Sequence, residues 1–183
     1  MLSDNWYTLR KAAFEHQQAD GTWRHEQREA YDRGNGAVAL LHDPTRDTVL
    51  LVRQYRAPAH LNDHPDGMLL EAPAGLLDGS ERPEEAMARE LEEEVGHAVH
   101  DLVRLWTLYM SPGSVTEHLT FFTGTYSAHS RTAAGGGAEG EHENIEIVEV
   151  TVAEALAMIA DGRIVDAKTV LLLQHLVATS RPR

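Results

Sequence analysis

The chain has no cysteine. Disulfides, thiolate catalysis and Cys-ligated zinc are thereby excluded, and the composition suits a reducing compartment. Positive charge is scarce: 16 Lys+Arg against 29 Asp+Glu give a formal net charge of −13. That sign opposes docking onto a phosphate backbone or an anionic membrane, so neither nucleic acid nor membrane is expected as a partner. Long apolar runs are missing too. No stretch approaches the roughly 18 apolar residues that span a bilayer, and the opening MLSDNWYTLRK lacks the apolar segment of a signal peptide. The expectation is a cytoplasmic protein, with 183 residues enough for one domain and a buried core.

What is present reads as strands with a few helices. NWYTLRKAAFEH (Asn5 to His16) and TWRHEQREAYDRG (Thr22 to Gly34) flank a turn at Asp20-Gly21 and predict a β-hairpin. A lone hairpin is marginal in water, so it needs a packing partner, and a second subunit is one candidate. Strands are predicted over Gly36 to Asp43, Thr48 to Arg56, Met68 to Gly75, Leu102 to Met110, His118 to Tyr126 and the alternating IEIVEV. A polar loop is expected over 57–67, a Gly-rich acidic loop over 129–144, and closing helices over about 152–160 and 166–178. The βαβ rhythm is absent, which predicts α+β or an α/β/α sandwich rather than a doubly wound sheet.

The strongest helix prediction is Pro83 to Val95, with proline as first residue and Gly96 as stop. Within it, RELEEEVG places four glutamates in six residues. On a helical wheel Glu84, Met87, Ala88, Leu91 and Val95 form a core-facing stripe, Glu90, Glu93 and Glu94 share the adjoining wedge, and Arg89 and Glu92 lie opposite. Like charges at i,i+4 destabilise a helix by a few tenths of a kcal/mol, more where water is partly excluded. A hard divalent cation bound by carboxylate oxygens relieves that repulsion; a solvated acidic face is the other reading.

From Gly75 the chain runs GLLDGSERPEEAMARELEEEVGH: glycine, five residues, Glu81, seven residues, then Arg89-Glu90-Leu91-x-Glu93-Glu94-x-Gly96. This resembles the Nudix box, G-x5-E-x7-RE-U-x-EE-x-GU with U aliphatic. A chance match of its seven fixed residues at one start position is below about one in 10⁷. His97 replaces the final aliphatic residue. LSDNWYTL, REAYDRGNGA, LLVRQYR, EAPAGLLD, LYMSPGSVTE, GGGAEGEHENIEI and DAKTVLLL extend the resemblance over nearly the whole chain, to the Nudix branch acting on GDP-mannose and, more distantly, ADP-ribose. Pro112 stands 16 residues past Gly96, a spacing found among ADP-ribose hydrolases.

The resemblance implies Mg2+-dependent hydrolysis of the pyrophosphate bond of a nucleoside diphosphate sugar, GDP-mannose to GMP and mannose 1-phosphate ahead of ADP-ribose to AMP and ribose 5-phosphate. Mn2+ suits the same oxygen ligands. A sensing domain that binds nucleotide sugars without cleaving them is a third reading. The resemblance also implies a homodimer in which residues 1–35 form the dimerising, nucleotide-contacting hairpin and 36–183 the hydrolase domain. Glu90, Glu94 and the carbonyl of Ala74 match metal ligands, and Glu93, counted among the catalytic residues, either coordinates a second ion or holds bridging waters, or else supports the ligands from behind. Glu143 matches a further ligand and Glu141 the general base, unless that loop is simply a solvated acidic segment. Arg89 pairs with Glu81 or with loop carbonyls.

An anionic diphosphate approaching this acidic protein needs local positive charge. Arg56 matches a phosphate contact, in preference to Arg53 on the opposite strand face. Arg28, Glu29 and Trp6 match nucleotide contacts of the hairpin, with Trp6 either stacking on the base or packing at the dimer interface. Glu117 and Lys168 match substrate contacts and read otherwise as a turn cap and a surface lysine. His60 and His64 with Asp63 and Asp66, and His97 with His100, lack a third and fourth ligand at a recognised spacing and read as solvated loop histidines.

Overall fold

A computed structural model of the chain describes residues 1–5, 7–137 and 144–180. Three antiparallel strands open it: β1 (Ser3–Asp4), β2 (Thr8–Gln17) and β3 (Trp23–Asp32). The predicted turn forms, with Thr22 N–H donating to the Asp20 carboxylate at 2.9 Å and Gly21 at φ 85°. The hairpin is thus a three-stranded sheet, because Leu2 N–H reaches Leu9 O at 2.7 Å and pairs the first residues back onto β2. From Arg10 to Gln17, β2 is exposed throughout.

The main sheet runs β10-β5-β4-β9-β8. It comprises β4 (Gly36–Asp43), β5 (Thr48–Tyr55), β8 (Val103–Tyr109), β9 (His118–Thr125) and β10 (Glu146–Thr151), with β6 (Met68–Glu71) on β5 and β7 (Ala74–Leu76) on β4. Among the described strand pairs of this sheet only β4 and β9 run parallel, so the sheet is mixed. Residues 68–75, expected as one strand, make two. Pro73 has no N–H to give a ladder, and the break redirects the chain from β5 to β4 while Pro73 O accepts Ala39 N–H at 3.0 Å. Part of the loop expected over 57–67 is a short helix, α1 (Ala57–Leu61), with proline in its first turn.

Alternation along β4 serves two cores. Ala37, Ala39 and Leu41 face Met87, Leu91 and Val95 of α2 (Pro83–Val95), while Val38 and Leu40 face Ala155 of α3 (Val152–Ala160) and Leu172 and Leu173 of α4 (Ala167–Ser180). Full burial of each such aliphatic side chain contributes about 1.5–3 kcal/mol. The fold is α+β, a mixed sheet between α2 and the α3–α4 layer. Among the described residues no helix is long and apolar enough to cross a membrane.

The N-terminal sheet is tied to the body at one corner. Tyr31, near the end of β3, accepts from Thr116 N–H at 3.0 Å and donates to Ser114 O at 2.8 Å. The segment between β8 and β9 thereby continues the β3 edge.

Candidate active site

Helix α2 begins and ends as its sequence dictates. Pro83 sits in the first turn, the Glu85 carboxylate accepts Arg82 N–H at 3.4 Å, and Gly96 ends the helix at φ 73°. Gly96 N–H and His97 N–H close onto Glu92 O and Leu91 O at 3.1 and 3.2 Å. A Cβ at Gly96 would stand 2.4 Å from Ala133 O, so this position requires glycine twice over. The buried face differs from the wheel: Ala86, Met87, Leu91, Glu94 and Val95 are buried, and Ala88 is not. Strand β7 lies beside the glutamate wedge, with Ala74 against Glu94 and Gly75 against Glu90.

Two glutamates of the wedge, Glu90 and Glu93, share Arg89, and the third, Glu94, is bonded by Ala74. Glu94, 3% exposed, accepts Ala74 N–H on Oε2 at 3.0 Å. Glu90 passes so close over Gly75 that a Cβ there would lie 1.9 Å from its carboxyl carbon. Arg89 donates from Nη1 to Glu90 Oε1 and to Glu93 Oε2, both at 2.9 Å, and from Nη2 to Glu81 Oε2 at 3.2 Å. Pairing with Glu81 is as expected. Standing apart from its neighbours is not, because the side chain folds back along the helix to Glu93 one turn on. Hydrogen bonding to Glu81 raises the Arg89 guanidinium against the opposing effect of burial, and the same contact holds Glu81 below the usual carboxylate range.

A second cluster adjoins the first. Arg56, just past β5, donates from Nη2 and Nε to Glu71 Oε2 at 2.7 and 3.1 Å. Lys168 Nζ lies 3.4 Å from the same oxygen and 2.8 Å from Asp166 Oδ1. Burial pulls the Arg56 guanidinium down, but Glu71, then Glu94 and Asp166, outweigh it and leave it raised. Arg56 and Lys168, expected separately, therefore meet on one carboxylate that sequence reasoning missed. The signal for Glu71 was slight: an acidic residue ending an apolar run, MLLE, immediately before the APAG turn.

Glu117 is mostly buried and forms an ion pair with Arg33 at 3.3 Å, so it does more than cap a turn. Arg33 in turn lies 5.6 Å from the centre of the Tyr7 ring. Arg28 and Glu29 are exposed on β3, where Arg28 bonds Gln27 O and pairs with Glu26. Within this chain they remain on the N-terminal sheet rather than against α2. Trp6, Glu141 and Glu143 lie outside the described residues. The approach to the last two is anchored: Gly136 N–H and Gly137 N–H donate to Glu94 O and Glu93 O at 2.9 and 3.0 Å, so the Gly-rich segment starts from the end of α2.

His97 corrects an expectation. It is 7% exposed rather than solvated, its Nδ1 lies 2.9 Å from Ser130 Oγ, and its ring meets Tyr126 edge-on. Burial, with Arg131 and Arg46 nearby, pushes its pKa down despite Glu149. Standing where the box has an aliphatic residue, this ring is buried against Tyr126 and adds one hydrogen bond.

The family model described as NUDIX domain matches residues 32–173. The chain belongs to the Nudix family. In this Nudix hydrolase, the preceding residues 1–31 match the model described as GDP-mannose pyrophosphatase NudK N-terminal domain. Two relatives carry the name GDP-mannose pyrophosphatase. The Pectobacterium atrosepticum protein is 47% identical, with 97% of this chain and 90% of the relative covered. The Yersinia enterocolitica protein is 49% identical, with 96% and 90% covered. A crystal structure titled ADP compounds hydrolase superposes with a TM-score of 0.70 at 22% identity, covering 100% of this chain and 92% of the other, and so supports the fold.

Proposed function

We propose that this Nudix hydrolase cleaves the pyrophosphate bond of nucleoside diphosphate sugars, with GDP-mannose as preferred substrate giving GMP and mannose 1-phosphate. The observation that carries the reading is the union of a box whose Glu90 and Glu94 are intact with an N-terminal segment like that of GDP-mannose pyrophosphatases. Intact carboxylates argue against a domain that only binds. The Pro112 spacing keeps ADP-ribose as the second candidate.

The donors suit Mg2+ or Mn2+. All are hard oxygens: three carboxylates, Glu81, Glu90 and Glu93, share the single guanidinium of Arg89, and Glu94 on the same helix is held from Ala74. Among the described residues no three acidic or imidazole side chains converge enough to enclose an ion alone. We therefore assign Glu90, Glu94, the Ala74 carbonyl and Glu143 as ligands, with Glu93 assisting. When bound, the cation neutralises charge on the phosphoryl oxygens and acidifies water.

The protein's own groups do the rest. Arg56 and Lys168 receive the diphosphate, Glu117 orients the sugar or nucleoside, and Glu141 takes the proton from the attacking water. The exposed N-terminal sheet, with Trp23 64% and Phe14 40% exposed, packs against a second subunit in a homodimer. That arrangement carries Trp6, Arg28 and Glu29 to the partner's nucleotide. Mass spectrometry of products formed in ¹⁸O-labelled water from GDP-mannose, ADP-ribose and other nucleotide sugars tests the reading. GMP and mannose 1-phosphate, one of them labelled, should form fastest. Faster cleavage of ADP-ribose would transfer the assignment to it, and binding without products would refute hydrolysis.

A further inference from the structure

Glu71 is 2% exposed. Its Oε2 receives two hydrogen bonds from Arg56 and faces Lys168, so a cation just past β5 and another in the first turn of α4 converge on one buried oxygen. The two side chains would repel each other without it. Around this point the backbone is clipped as well: Ala72 N–H donates to Thr169 Oγ1 at 2.6 Å, and Thr169 N–H and Oγ1 donate to Asp166 Oδ2 at 2.9 and 2.6 Å. The start of α4 is thus fastened to the residues that lead into Ala74 and the box.

We propose that Glu71 is a positioning residue that fixes Arg56 and Lys168 as one preorganised receptor for the substrate diphosphate. A guanidinium has five N–H donors, of which two are engaged by Glu71; three remain on a side chain that is 36% exposed. Burial of a carboxylate is costly unless it is well paired, and here the pairing also limits which way the guanidinium can turn. Lys168 is more restricted, at 12% exposure between Glu71 and Asp166. Glu71, the last residue of β6, also lies three residues before Ala74, the first of β7, which donates to Glu94, so the short link between these strands sets the spacing between the cation pair and the box carboxylates.

This inference rests on the reading of the site as one for a nucleoside diphosphate sugar. Glu71→Gln keeps the shape and removes the charge. It should raise KM for GDP-mannose at least tenfold, with kcat within about threefold of wild type. In an Arg56→Gln, Lys168→Gln background it should add less than a twofold further change, because its effect passes through those two side chains. Glu71→Asp keeps the charge but withdraws the oxygen by one methylene, and its KM should fall between the two. Should Glu71→Gln fail to fold, the Asp variant carries the test.

A KM like wild type in the folded variants, with only a lowered Tm, would overturn the proposal and leave the function standing. Calorimetric titration with GDP separates the two. If wild type cleaves no nucleotide sugar yet Glu71→Gln weakens GDP binding tenfold, the function fails and the positioning role survives. Unchanged GDP binding would sink that role too.

Discussion

The carboxyl carbon of Glu90 occupies the place where Gly75 would carry a side chain, 1.9 Å from an ideal Cβ. The box glycine is therefore a spatial requirement of the box glutamate. Gly75→Ala should fold, because the obstructing atoms end a flexible side chain, but it must displace Glu90. We expect a Tm within a few degrees of wild type and turnover reduced at least tenfold, checked by thermal melts and GDP-mannose kinetics. Loss of folding, or full activity, would contradict this.

Arg89 is the cation shared by Glu81, Glu90 and Glu93. Removing it in Arg89→Ala leaves these carboxylates to repel one another. Partly exposed charge-assisted bonds of this kind are worth about 1 kcal/mol together after solvent screening. The variant should melt lower than wild type in EDTA and recover most of the difference in Mg2+. Equal melting shifts with and without the cation would argue against an ion among these carboxylates.

His97 gives the protein a pH-dependent stability of definite sign. Its folded pKa is depressed by burial below the usual value near 6.5, so the folded state binds the proton less readily than the unfolded chain. Stability should therefore decline as pH falls through that value, by about 2–4 °C in Tm for each kcal/mol lost. The paired carboxylates Glu81 and Asp43, depressed below 4.5 and 3.8, lose their contribution only at lower pH. In His97→Leu the decline between pH 7.5 and 5 should flatten. Ser130 Oγ keeps its bond to Ser127 O, leaving no orphaned donor. A slope unchanged from wild type would assign the effect to other groups.

The N-terminal sheet offers a test of assembly. Trp23→Glu with Phe14→Glu places charge on exposed apolar positions of β3 and β2. Light scattering should give twice 20.3 kDa for wild type and a monomer for the variant. A wild-type monomer would remove the route by which Arg28 reaches a nucleotide.

The box and its helix were legible because their information is local: Pro83 and Gly96 set the limits of α2, and the spacing of its glutamates follows from 3.6 residues per turn. The strands of the main sheet were legible from their apolar content. Less readable were features made by distant pairing. Glu71 meets Lys168 only once β6 and α4 are adjacent, and the two-residue β1 exists only because β2 folds back to receive it. Ala86 is buried although it lies outside the apolar stripe of the wheel. His97 looked like a loop histidine until the 3-10 turn at 128–130 placed Ser130 against it.

Glu94 joins the parts of the site, being buried, hydrogen-bonded by Ala74 and close enough to Arg56 to raise it. Glu94→Gln can still accept from Ala74 N–H while losing its charge, so the variant should retain the wild-type fold. The decisive measurement is Mg2+-dependent GDP-mannose hydrolysis by this variant beside wild type, with matched melting curves in EDTA. A loss of turnover of at least a hundredfold at an unchanged Tm is predicted; near-wild-type turnover would contradict the account.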